Sequence, residues 1–173
     1  SNTGIRIGRS ACVVPDSQAT NLTSAPAGRS NGEMVWTGHE VIVLGGERVG
    51  VSLDHSAFDP FENSWRTLSS MNAPQLSRVS YGLEWTDSEV LVWGGLVNGN
   101  PVTDGAAYDP RTDTWRRMAS SLSMPSPRSH FAKAWTGIDW FIWGGKNDQT
   151  NLNDGARYLP SADKWTPINR GTL

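Results

Sequence analysis

The chain has a single cysteine, Cys12, so no disulfide can form within it. The plain reading of that thiol is a small buried hydrophobe; a reactive one would need a stronger cationic neighbour than Arg9. No apolar run approaches the ~20 residues of a membrane helix, so no membrane partner is expected. There is no surplus of either charge: 15 Lys and Arg stand against 17 Asp and Glu, mixed along the chain. Without a basic stripe to follow phosphates, nucleic acid is not an expected partner. Nor does any long stretch repeat its apolar residues every 3.6 positions, so helix should be nearly absent. The chain opens on Ser rather than Met, which leaves the question of a removed leader open.

What is abundant is tryptophan, nine in 173 residues, with 18 Gly and 10 Pro. Gly, Pro and Asn cluster every ten residues or so between short runs of Val, Ile, Trp and Tyr, the punctuation of many short strands joined by turns. Three segments align, beginning at Arg29, Arg78 and Arg128, which are spaced by 49 and 50 residues. Seven residues after each Arg comes Trp36, Trp85 or Trp135, always followed by Thr. The pairs Gly45-Gly46, Gly94-Gly95 and Gly144-Gly145 keep the same spacing. Then come Phe58-Asp59-Pro60, Tyr108-Asp109-Pro110 and Tyr158-Leu159-Pro160, and five residues past each Pro stands Trp65, Trp115 or Trp165.

Each unit reads as four strands, in the first copy near 29–36, 40–45, 54–59 and 64–68. The diglycine ends the second strand, because without Cβ atoms the chain can turn sharply and pack close to its neighbours. The Pro ends the third, since it gives up its ladder donor and pre-sets a turn. A four-stranded meander repeated every ~50 residues is a propeller blade.

These motifs resemble bacterial kelch repeats, of the kind also found in the central domain of galactose oxidase. The resemblance runs over 29–173 with small departures: His55 stands where the other copies have Gly105 and Gly155, and Leu159 replaces an Asp. The expected fold is all-β: three four-stranded kelch-type blades at 29–77, 78–127 and 128–173, half of a propeller. Residues 1–28 fit less well and are expected to form a partial or degenerate blade, with Val13-Val14-Pro15 ending a third strand.

An arc of three blades leaves two apolar end faces uncovered. Val41, Val43, Val90, Val92, Phe141 and Trp143 serve every copy alike, and no polar cap is evident. Either the arc is a piece of a longer propeller, whose missing blades cover the ends, or two copies join as a homodimer of six blades.

In such a meander one end of the disc gathers the Arg positions, the diglycines, the loops 47–53, 96–103 and 146–153, and the linkers 70–77 and 119–127. Loops that vary on a fixed scaffold are where binding is expected. The kelch resemblance places pocket-lining residues near the start of the innermost strand. By position, two after each Arg, these are Asn31, Ser80 and His130. Arg29, Arg78 and Arg128 admit two readings. They could present a cationic ring to an acidic peptide or a sugar carboxylate, or they could tie loops together through carbonyls and Asp54, Asp104 and Asp154. Recurrence in every copy favours the structural role.

An enzyme is not favoured and no cofactor is implied. His39, His55 and His130 fall at different ends or radii of the blades and do not converge on a metal. Tyr108 and Tyr158 are framework residues rather than copper ligands. Gly45 to Gly50 is no phosphate loop, because no helix follows it. Six of the nine Trp recur as framework, and Trp93 and Trp143 share a packing position. Only Trp140 is idiosyncratic. The expectation is a binding module for a protein or a carbohydrate on the diglycine face; the alternative is part of a propeller enzyme acting on a glycan or a sialic-acid-like sugar.

Overall fold

The computed structural model describes residues 23–49, 53–75, 77–148 and 150–168. Cys12 and all of the expected N-terminal partial blade before residue 23 lie outside them. The described chain forms three four-stranded antiparallel sheets, each running in sequence order from one edge to the other. Blade 1 comprises Ser30–Trp36, Val41–Glu47, Ser56–Asp59 and Ser64–Thr67. Blade 2 comprises Gly82–Trp85, Val90–Trp93, Gly105–Asp109 and Thr114–Arg117. Blade 3 comprises Ala132–Trp135, Trp140–Trp143, Gly155–Leu159 and Lys164–Ile168. A small sheet of Arg78–Val79, Leu96–Val97 and Asn100–Pro101 extends blade 2 beyond its diglycine. The only helical piece among the described residues is the 3₁₀ turn Pro160–Ala162.

Pairing register sorts the side chains of every blade onto a front face, toward the preceding blade, and a back face, toward the next. Residues directly opposite across an antiparallel pair share a face. In blade 2 the front row is Trp85, Val90, Tyr108 and Trp115; in blade 3 it is Trp135, Trp140, Tyr158 and Trp165. Both rows are sunk in the two hydrophobic clusters between blades, where Ile42, Leu44 and Ala57 meet the first and Leu91, Trp93 and Ala107 meet the second. The matching row of blade 1, Trp36, Val41, Phe58 and Trp65, is only half-buried, with Trp36 46% exposed. Trp65 is therefore not the equal of Trp115 and Trp165, which are 4% and 1% exposed.

Trp140 is fully buried. Its indole lies against Gly82 of blade 2, where an added Cβ would come within 2.7 Å of the ring. It is a packing residue, and the glycine opposite is what makes room for it. Gly82→Ala should accordingly cost about 1–3 kcal/mol by overpacking, read as a lowered thermal midpoint; Trp140→Val in the same chain should recover part of the loss.

Polar staples lock neighbouring blades. Arg66, on the back of blade 1, binds Glu40 of its own blade at 2.7 Å and donates to the Tyr108 hydroxyl of blade 2 at 3.1 Å; that hydroxyl donates to Asp113 at 2.7 Å. Arg116 repeats the pattern with Glu89 at 2.7 Å and with Tyr158 at 3.0 Å, whose hydroxyl donates to Asp163. Asp113 and Asp163 also cap backbone N–H groups of the preceding blade, at Ser69 and Ala119. Blade 3 departs from this scheme: its back face carries Arg157, bound to Asp139 at 3.1 Å. The expectation that all copies present the same apolar end is corrected here: Val41, Val43, Val90 and Val92 lie on front faces, whereas Phe141 and Trp143 lie on the back of blade 3. On that back Arg157 occupies the position of the buried Ala57 and Ala107.

Candidate functional site

The diglycines fix the geometry of the end where binding was expected. Their first residues have φ of +58°, +66° and +66° and their second +90°, +87° and +85°, values that glycine adopts without strain. At Gly45 a Cβ would stand 2.7 Å from the Arg78 carbonyl oxygen of the next blade. The turn therefore lets successive blades touch backbone to backbone, and the Gly95 N–H donates to the Arg128 carbonyl at 2.8 Å.

The arginines lie beneath this surface. Arg78 and Arg128 are 1% and 0% exposed, and the Arg29 side chain is 7% exposed. Arg29 donates to the carbonyls of Gly45 and Asp54 and pairs with the Asp54 carboxylate at 2.8 Å. Arg78 donates to Gly94 and Asp104 and pairs with Asp104 at 2.6 Å. Arg128 donates to Gly144, Asp154 and Ser126 and pairs with Asp154 at 3.0 Å. Each fork thus ties the diglycine to the start of the third strand within its own blade. Planar guanidinium groups with five fixed donors suit that task.

Asn31, Ser80 and His130 occupy one equivalent backbone position, with φ of 55°, 54° and 56°, and stand nearer the surface than the arginines. Asn31 donates to Glu47 at 2.8 Å. Ser80 and His130 are brought together across a blade junction: the Ser80 hydroxyl lies 3.0 Å from His130 Nε2, and His130 Nδ1 lies 3.0 Å from the Ser129 hydroxyl. Two clefts open between blades on this face. One, of about 440 Å³, runs between Arg48 and Val49 of the first long loop and Leu96 and Asn98 of the second. The other, of about 510 Å³, lies between Pro101, Pro127, Asn147 and Asp148.

The deciding resemblance is at the level of the whole repeat: the KLHDC2/KLHL20/DRC7 Kelch-repeats domain matches residues 16–172. The chain belongs to the kelch-repeat proteins. No curated protein matches the sequence. Kelch domains generally bind proteins, and the fold described above is that of kelch blades, all-β and antiparallel.

Two features of this kelch chain escaped the sequence reading. One is a concavity of about 690 Å³ on the opposite end, between the turns of blades 1 and 2, lined by His39, Glu40, Arg66, Trp85 and Asp87 among others. The other is the burial of His55, 3% exposed, whose ring lies 5.4 Å from that of Trp115 and whose Nε2 meets the Pro74 carbonyl at 3.2 Å. Burial lowers its pKa from 6.5 to about 4, helped by the nearby Arg29 and Arg78 charges and opposed by the Pro74 carbonyl. The unfolded chain takes up this proton near pH 6.5 and the native one only near 4, so stability should fall as pH drops through that window. The expected loss is about 3 kcal/mol, followed by urea titration at successive pH values; His55→Gln should flatten the slope between pH 6.5 and 4. Among the described residues no cluster of three or more His, Cys, Asp or Glu is placed to hold a metal ion.

Proposed function

We propose that the chain is a non-enzymatic binding module that takes a protein segment on the diglycine face, in the two clefts between blades, and that two copies complete a six-bladed ring. The observation that carries the first part is the division of labour on that face. The recurring arginines are buried and engaged, whereas the groups lining the clefts differ from blade to blade, with Val49 100% exposed in one and Asp148 exposed in the other. A rigid floor with variable lips is how loops on a scaffold acquire specificity. Asn31, Ser80 and His130 are the members of the expected set that remain nearer the surface, on the same face but outside the lining of the two clefts.

A protein is favoured over a carbohydrate because the rings that could stack on a sugar are used between blades. Trp93, Trp115, Trp140 and Trp165 are all buried, and the exposed Trp36 and Trp143 belong to the end faces rather than to the clefts. The test is selection of peptides from a random library on the immobilised chain, with a glycan array alongside. Bound peptide should protect amides of the three long loops from hydrogen exchange. Val49→Glu and Asp148→Lys should weaken it at least tenfold with unchanged melting. Peptides that protect only the opposite end, or a glycan that binds where no peptide does, would reject this reading.

A further inference from the structure

The Arg–Tyr–Asp staple joins blade 1 to blade 2 and blade 2 to blade 3, and its parts are missing from both outer faces. Blade 1 would be the receiver of any junction on its front, yet it carries Phe58 where Tyr108 and Tyr158 stand, and Asn63 where Asp113 and Asp163 stand. The backbone there is the same, with φ of 49°, 52° and 47° at Asn63, Asp113 and Asp163. The turn is kept and only the acceptor chemistry has changed. Blade 3 would be the donor of any junction on its back, yet its fourth strand has Thr166 where Arg66 and Arg116 stand. The arginine of that face has moved one strand inward, to Arg157, directly opposite Thr166 in the pairing and held by Asp139.

We propose that these two altered faces are the two sides of one junction: the back of blade 3 in one copy docks on the Trp36, Val41, Phe58 and Trp65 row of blade 1 in a second copy. The inference rests on the six-bladed ring proposed above and adds which faces meet and by what chemistry. An arginine docked without its receiver would bury an unpaired guanidinium. A Tyr–Asp pair docked without its donor would bury a carboxylate lacking its cation. Either half alone is costly, whereas faces that have each given up their half are matched. By equivalence with the two junctions within the chain, Arg157 then lies over the aromatic row, where Phe58 offers a ring face in place of a phenol, and a guanidinium is attracted to such a face. Apolar surface completes the match: Met34 and Trp36, 68% and 46% exposed, on one side and Trp143, 43% exposed, on the other. A two-fold operator makes both junctions of such a ring identical.

Restoring the staple tests this directly, since the two faces point away from each other within one chain and can couple only across a junction. Analytical ultracentrifugation of the 173-residue chain should show a dimer at micromolar concentration. A donor variant, Arg157→Ala with Thr166→Arg, and a receiver variant, Phe58→Tyr with Asn63→Asp, should each raise the dissociation constant on the order of tenfold. All four substitutions together should bring it back to the parent value or below. A dimer whose dissociation constant responds additively overturns the matched loss of the staple and the Arg157 contact, and leaves the ring closed by the apolar surface of these two faces. A clean monomer, as residues 1–22 folded over the same row would give, overturns both. Should either pair of substitutions unfold the chain by circular dichroism, Trp36→Glu at an already exposed site takes its place: a folded monomer is expected, and an undisturbed dimer refutes the proposal.

Discussion

Trp165→Ala is expected to lower the unfolding free energy by about 3–5 kcal/mol, the usual cost of emptying a large aromatic site in a core. Trp165 is 1% exposed and meets rings on both sides of a junction, Tyr158 in its own blade at 4.9 Å and Trp93 of blade 2 at 5.3 Å. The cavity would open between two blades rather than inside one, so it should also weaken the coupling that makes them unfold together. Trp115→Ala should cost about as much, because that indole donates to the Ser69 carbonyl of blade 1 at 2.9 Å and lies beside His55. Trp65→Ala should cost roughly half, in proportion to the smaller area it buries in the single chain. Urea unfolding followed by circular dichroism gives the three values. If Trp165→Ala melted with the parent, the blade-to-blade core described here would be wrong.

The order of these three effects could not be read from the repeat. All three tryptophans hold the same register, five residues past a proline, and look interchangeable until the blades are placed side by side. What was legible was everything the backbone demands once per blade: Arg, diglycine, aromatic and proline, each at a spacing near 50 residues. What was not legible was the side-chain exchange between neighbouring copies. The first copy has Leu44 and His55 where the others have Trp93 with Gly105 and Trp143 with Gly155. Along the sequence only His55 stands out as a departure, eleven residues from Leu44. In the structure they are one compensation: an added Cβ at Gly105 would meet the Trp93 indole at 2.8 Å, and at Gly155 the Trp143 indole at 2.9 Å. The glycine makes room for the large residue beside it and also for the neighbouring strand, since a Cβ there would crowd the Val92 or Ile142 carbonyl oxygen too; the first copy sets a leucine beside a histidine instead. Arg157 escaped for a related reason. It sits in the third strand among framework positions, and only the burial of Ala57 and Ala107 marks that position as one where a charge changes the face.

The repeated arginine left two roles open in the sequence because a ligand carboxylate and a ring of backbone carbonyls ask for the same guanidinium. Arg128→Ala separates them. It removes the donors to the Gly144, Asp154 and Ser126 carbonyls and strips the Asp154 carboxylate of its cation, all at a side chain with 0% exposure. The Asp154 side chain is 39% exposed and regains water when its cation goes, so the cost comes chiefly from the orphaned carbonyls and is expected to be about 2–3 kcal/mol. Arg128→Lys should recover only part of that, since an ammonium is a point charge and cannot reach the separated acceptors that the fork meets in one plane. Arg78→Ala should behave alike, with Gly94 and Asp104 as the orphaned partners. The loss should appear first around the diglycine, as faster amide exchange at Gly144 and Gly145, because the arginine is what anchors that turn to the third strand. A ligand-binding arginine would give the reverse pattern: an unchanged melt, unchanged exchange and lost binding. Thermal unfolding and hydrogen exchange on Arg128→Ala, measured without any ligand, therefore decide between a structural fork and a cationic ring.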